Sequence, residues 1–346
     1  MTAPALRAEA DRLLGHFTDR GASPFETAIL QPAETLLDLY GEDIRARAYT
    51  TLDPHRGEMM LRPDFTVPLV QHHMTHGADP ARYAYAGQVF RRQEDHPDRP
   101  AEFLQVGYEI FDRTNPAKAD AEVFAAIHDA LTPLGLTPST GDLGILGAAI
   151  DGLSTTDARK RALKRHIWRP ARFRDLLNRF TDPPSRPEAP QTDAPLIGKR
   201  TAGEIAARHK ALAEEAATPP LSRSDRETLD AILALRDTVP TALASLRGLA
   251  RTMPHLTPAT DRLEARLDAL SALGIDAQTL PFQTTFGRTL LEYYDGFVFG
   301  FSRGPGTQPV ATGGRYDALT RLLGDGRAIP AVGGIIRPDL ALEAAG

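Results

Sequence analysis

The sequence predicts an α+β fold: an antiparallel β-sheet built from both ends of the chain, flanked by helices and interrupted by a helical insertion. Three observations point to it. Extended runs, YAYAGQVFRRQ (83–93), EFLQVGYEIF (102–111) and LEYYDGFVFGF (291–301), lie toward the two ends of the chain. Residues 155–275 between them are rich in Ala, Leu, Arg and Pro and poor in strand formers. The 346 residues are 42% apolar and 25% charged, an ordinary globular composition with room for one large core and a smaller unit.

In chain order, Leu6, Ala10, Leu13, Leu14 and Phe17 recur at helical spacing over 4–20, and Gly21 stops that helix. FETAILQ (25–31) reads as a strand, after which Pro32 opens a short amphipathic helix with Leu36, Leu37, Leu39 and Tyr40. DPHRG (53–57) is a turn between apolar segments, giving a hairpin that runs into Arg62 and Pro63. A helix starts near Thr66; the runs at 83–93 and 102–111 then form a long antiparallel pair joined by the polar loop EDHPDRPA. DAEVFAAIHDALTPLG is helical, and GDLGILGAAI (141–150) reads as a short strand. The insertion holds several helices broken at PPSRPEAP and TPPLSRS, and strand character returns at LEYYDGFVFGF. Residues 1–150 and 276–346 therefore form the core, with 151–275 as the mainly helical insertion.

Bulk chemistry removes several functions. A net charge of -5 gives no global pull toward nucleic acid, and zero cysteines exclude disulfides, thiolate metal sites and cysteine nucleophiles. The N-terminus carries acids without a continuous apolar stretch, and nowhere do roughly 18 apolar residues run together, so a cytoplasmic protein away from membranes is expected.

Five constellations remain. Asp64 and Thr66 in LRPDFT follow a strand and open a helix, where they either cap it or offer a carboxylate and a hydroxyl to a ligand. Arg91, Gln105 and Glu109 project from the strand pair; the spacing of Gln105 and Glu109 puts both on one face, which is either solvated or suited to an ammonium or imidazole. Tyr293 and Tyr294 would point to opposite faces of a strand, so that one at most lines a given pocket. Gly313 and Gly314 in ATGGRYDAL allow a tight turn before a helix, with amides free for an anion. The basic run ARKRALKRHIWRPARFR (158–174) is a solvated helix face or a phosphate grip.

Taken together, FETAILQPAETLLDLYGE, LRPDFTVPLV, YAYAGQVFRRQ, EFLQVGYEIF, LEYYDGFVFGF and ATGGRYDAL resemble, in order, the catalytic core of histidyl-tRNA synthetase. The resemblance implies the class II aminoacyl-tRNA synthetase architecture, with the strand and helix near 25–40 as a dimer interface. It also implies that Asp64, Thr66 and Gln105 hold an amino-acid ammonium, while Glu109 and Tyr294 hold an imidazole; carboxylate and neutral acceptors fit those donors.

The departures matter equally, because amino-acid activation needs cations on the phosphates and the attacking carboxylate. Arg91 matches one such position. The arginine that precedes the paired tyrosines in the family falls on Thr289, with Arg288 one residue off; Gln93 replaces a glutamate on the adenine side, and Leu340 stands where a further arginine is expected. No anticodon-binding domain is expected after Gly346. A histidine pocket without adenylation machinery resembles the regulatory subunit of ATP phosphoribosyltransferase, in the first step of histidine biosynthesis. That resemblance implies a non-catalytic protein without cofactor or metal, paired with a short-form catalytic subunit and relaying feedback by free histidine. Asp64, Thr66, Arg91, Gln105, Glu109, Tyr293 and Tyr294 then bind effector, and tRNA binding is not expected. The alternative is a truncated class II synthetase-like ligase that activates an amino acid with ATP for a non-tRNA acceptor.

Overall fold

In the computed structural model, residues 2–34, 37, 48–93, 98–182, 201–288 and 293–346 are described. The strands, in chain order, are β1 (Ser23–Pro24), β2 (Leu30–Pro32), β3 (Thr50–Asp53), β4 (Gly57–Leu61), β5 (Ala81–Phe90), β6 (Glu102–Phe111), β7 (Thr137–Asp142), β8 (Arg236–Thr238), β9 (Pro281–Gln283), β10 (Phe297–Ser302), β11 (Ala311–Arg315) and β12 (Ala331–Ile336). Nine form one sheet, ordered β1-β5-β6-β12-β11-β10-β7-β9-β8, so strands from both ends of the chain interleave. Its centre is antiparallel, and parallel pairing occurs only toward the margins, between β1 and β5 and between β7 and β9. A second, three-stranded sheet, β2-β4-β3, holds the hairpin expected at DPHRG, whose turn is fixed by Asp53 Oδ1 accepting from the amides of His55 and Arg56.

The long hairpin β5–β6 keeps register from Ala81↔Phe111 to Phe90↔Glu102. Alternation along it separates two faces. One face carries Tyr108, Phe297, Phe299 and Phe301 and is covered by helices Ala3–Thr18 and Pro116–Leu131; Phe17 stacks on Tyr108 at 5.1 Å and Phe124 packs against the three phenylalanines. Each fully buried phenylalanine stabilises the fold by about 1.5–3 kcal/mol through its lost apolar surface. The other face carries Tyr83, Tyr85, Gln105 and Glu109, and the candidate site lies there.

Two local expectations are corrected. FETAILQ is not one strand: β1, which ends at Pro24, and β2, at 30–32, are extended, with 25–29 between them irregular; Pro32 ends β2 and, as expected, leads straight into helix at Ala33 and Glu34. The helix expected at 36–40 lies, apart from Leu37, outside the described residues, as do PPSRPEAP and Thr289. GDLGILGAAI is a helix, Leu143–Gly152, following the short strand β7. Asp142 caps it by accepting from Gly144 N at 2.9 Å, and its apolar run is continuous because Ile145, Leu146, Ala149 and Ile150 are all buried.

The insertion is helical at Asp157–Arg165, Pro170–Thr181, Ala202–Ala217, Arg223–Ala234, Val239–Ala250 and Thr257–Ala272. It also contributes β8 to the edge of the main sheet. Within it Arg159 is not on a solvated face: it is 2% exposed, pairs with Glu215 at 3.1 Å, and donates to the carbonyls of Pro219 and Thr218. A buried ionic cluster ties insertion to core. Asp120, on the helix Pro116–Leu131, takes Arg266 from the helix Thr257–Ala272 at 3.0 Å and Arg315 from β11 at 2.6 Å, while Arg266 also reaches Asp142 at 2.5 Å.

Candidate functional site

Glu109 is the centre of the site. It stands on β6, 1% exposed, and its carboxylate accepts from Thr66 Oγ1 at 3.2 Å and Tyr85 Oη at 3.0 Å on one oxygen, and from Tyr316 Oη at 2.6 Å on the other. A carboxylate offers about four lone-pair positions, so three are used and one on Oε2 remains for an incoming N–H. Burial dominates its titration and pushes its pKa up to about 7, against the pull of the three hydroxyls.

Asp64 and Thr66 come from the start of the helix Thr66–His76. Asp64 does both things its position allows: Oδ1 receives the amide of Val67 at 3.3 Å as a cap, and its buried carboxyl, raised by desolvation, feels the Arg91 charge. Thr66 points at Glu109 and receives Tyr293 Oη at 3.4 Å. Gln105 is on the Glu109 face of β6, 1% exposed, and its Oε1 is a buried acceptor with no donor. Such an atom costs about 1–3 kcal/mol until something donates to it. Arg91, just past β5, spends Nε on the carbonyl of Pro63 at 2.7 Å.

Tyr293 and Tyr294 are not on a strand. They precede β10 in a turn, so the two rings meet edge-on at 5.0 Å instead of splitting across a sheet. Tyr294 is 4% exposed, and its hydroxyl is raised by burial and by the nearby Glu109. Gly313 and Gly314 are not a turn either. They are paired within β11, opposite Gly334 and Gly333, and their role is close approach: a Cβ on Gly314 would press on the ring of Tyr294. Similarly, a Cβ on Gly107 would overlap the ring of Tyr85, and one on Gly333 would overlap the carboxylate of Glu109. Each large polar side chain thus lies along the sheet over a neighbour's glycine.

Tyr85 and Tyr316 were not among the residues singled out from sequence, yet they hold Glu109 from both sides. The signal for Tyr85 was Gly107, an isolated glycine inside a strand pattern, which marks close approach of something large. Gly333→Ala is expected to displace the Glu109 carboxylate and lower stability by about 1–3 kcal/mol, an overpacking cost. Thermal unfolding checks it, and an unchanged melting temperature would show that the floor has room.

The site is rich in acceptors, and the cations sought for amino-acid activation are turned partly elsewhere. Arg288, near the position where an activating arginine was sought, turns away to the carbonyl of Ile167 at 2.6 Å. Arg337 pairs with Asp339 and lies 3.8 Å over the ring of Phe103, and Leu340 sits in the helix Pro338–Ala345.

The histidyl-tRNA synthetase family model matches residues 1–185 and 201–339. The chain is 33% identical to an ATP phosphoribosyltransferase regulatory subunit of Allorhizobium ampelinum, across 94% of both chains. It is 31% identical to another protein of that description from Mesorhizobium japonicum, across 95% of this chain and 94% of the relative. Among solved structures, an ATP phosphoribosyltransferase regulatory subunit/histidyl-tRNA synthetase from Bacillus halodurans aligns at TM-score 0.74 and 23% identity, over 99% of this chain and 79% of that one. Histidyl-tRNA synthetase from Nostoc aligns at 0.65 and 18%, over 98% and 70%. At those identities the likeness to solved structures speaks for the fold.

Proposed function

The chain belongs to the family of ATP phosphoribosyltransferase regulatory subunits, which shares the histidyl-tRNA synthetase fold, and from that premise we propose that it holds free histidine in the Glu109 site and passes the occupancy to a short-form catalytic subunit. The observation that carries the reading is the set of buried acceptors. Asp64, the donor-less Oε1 of Gln105 and the spare lone pair of Glu109 suit an α-ammonium and a ring N–H, with Thr66, Tyr293 and Tyr294 beside them and Arg91 placed for a carboxylate. The effector residues are therefore Asp64, Thr66, Arg91, Gln105, Glu109, Tyr293 and Tyr294, with Tyr85 and Tyr316 setting the carboxylate.

Feedback requires histidine to bind two states of the assembly unequally, by about 1–3 kcal/mol for ordinary allosteric coupling. Self-association through residues 25–40 and a cytoplasmic site of action complete the proposal. No described helix is long and apolar enough to cross a membrane. The net charge of -5 and the burial of Arg159 inside the basic run argue against a tRNA role.

Co-purification with the short-form phosphoribosyltransferase of the same cell, followed by its activity assay with and without histidine, tests this. Stimulation by the subunit and inhibition by histidine are expected. Robust histidine-dependent exchange of pyrophosphate into ATP by the isolated chain would overturn the reading in favour of the ligase.

A further inference from the structure

A cavity of about 450 Å³ lies away from Glu109, between the helices Pro170–Thr181 and Arg223–Ala234 and the segment that carries Thr285 and Arg288. Its size is that of a small-molecule site. Phe173, Leu177, Leu233 and Ala234 make its apolar wall.

The charges are unbalanced. Asp230, the acid in the lining, is held by Arg226 at 2.7 Å, and Arg226 also donates to Asn178 at 2.9 Å. Arg288 has no carboxylate within ion-pairing distance among the described residues, although it is 6% exposed. Its Nε is committed to Ile167 and its face lies 4.9 Å from the ring of Phe173, but its Nη2 is buried with no acceptor. Exposed Arg174 lines the same cavity, and burial together with Arg174 lowers the Arg288 pKa to about 10, so the Arg288 guanidinium remains charged at neutral pH. A buried, uncompensated guanidinium costs several kcal/mol, and the fork of its N–H donors matches an oxyanion.

The geometry points to a site for a small organic anion, its carboxylate or phosphate held by Arg288 and Arg174 and its apolar body on Phe173, Leu177 and Leu233. The site stands apart from the histidine reading, but a short path joins the two. Ile167 accepts from Arg288, and the next residue, Trp168, donates Nε1 to the carbonyl of Tyr294 at 3.3 Å. Trp168 is the one tryptophan of the chain and follows Ile167, the acceptor of Arg288, so its fluorescence is a probe next to the cavity, with calorimetry as the direct measure of binding.

The test is a titration of the full chain with phenyl phosphate, benzoate and inorganic phosphate, followed by Trp168 fluorescence and calorimetry. Saturable binding of phenyl phosphate or benzoate is expected, the tighter of the two naming the head group, with inorganic phosphate weaker for want of an apolar body. Arg174→Glu, at an exposed position, should fold normally and weaken binding by about tenfold or more, since an attractive charge becomes repulsive. Arg288→Met should abolish it. Binding unchanged in Arg174→Glu, inorganic phosphate binding as tightly as phenyl phosphate, or no saturable response to any of the three would overturn the assignment. Because Arg174 is exposed and contacts no residue of the Glu109 site, histidine binding measured on Arg174→Glu separates this outcome from failure of the regulatory reading.

Discussion

Asp120→Ala should be the most destabilising single change, costing about 3 kcal/mol, because it takes a buried carboxylate from two guanidiniums at once and leaves Arg266 with Asp142 alone and Arg315 with Asp317 alone. Asp120, Arg266 and Arg315 are 4%, 3% and 7% exposed, so water cannot replace the lost carboxylate. The residues it joins are 146 and 195 positions away in sequence, which makes the cluster a clamp between the core helix, the insertion and the central sheet. Denaturant unfolding checks the magnitude. A loss below about 1 kcal/mol for Asp120→Ala, the value of a surface pair, would show that the cluster is hydrated.

Glu109→Gln should abolish histidine inhibition while leaving activation of the catalytic partner intact. The amide keeps the shape and can still accept from Tyr85, but it carries no charge for the ring N–H of the ligand. The same substitution should stabilise the subunit at alkaline pH. The folded-state pKa of Glu109 stands near 7, above the usual 4.5, so the fold binds that proton more tightly than the unfolded chain does. Stability from this group is therefore greatest below pH 4.5, declines as the pH rises toward 7, and is lower by about 3 kcal/mol beyond it. Glu109→Gln removes that decline. Histidine affinity should mirror it, rising by about tenfold per pH unit between 5 and 6 as Glu109 becomes easier to ionise. A flat affinity profile in the natural protein, or joint loss of activation and inhibition in Glu109→Gln, would count against the assignment.

Much of this was legible from pattern. The four-residue spacing of Gln105 and Glu109 within an extended run placed both on one face, and the order of the extended runs anticipated a sheet drawn from both ends. Other features depended on contacts that no local pattern records. The apolar run at 143–152 is compatible with a buried strand or a buried helix until the Asp142 cap is seen. Gly313 and Gly314 have the composition of a turn, and only their neighbours Phe299 and Tyr294 show that they sit inside a strand. Tyr316 reaches Glu109 across 207 positions, so its role follows from topology alone.

The glycine floor beneath the site has a bearing on how such a pocket can change over generations. Tyr85 occupies the space a Cβ on Gly107 would take, and Glu109 that of Gly333. Enlarging either glycine alone evicts the side chain above it, while shrinking the side chain alone leaves a hole over bare backbone. Neither partner can drift first without penalty, so retuning the pocket for another ligand requires paired substitutions. Lineages in which these glycines are replaced should also have changed the tyrosine or the glutamate.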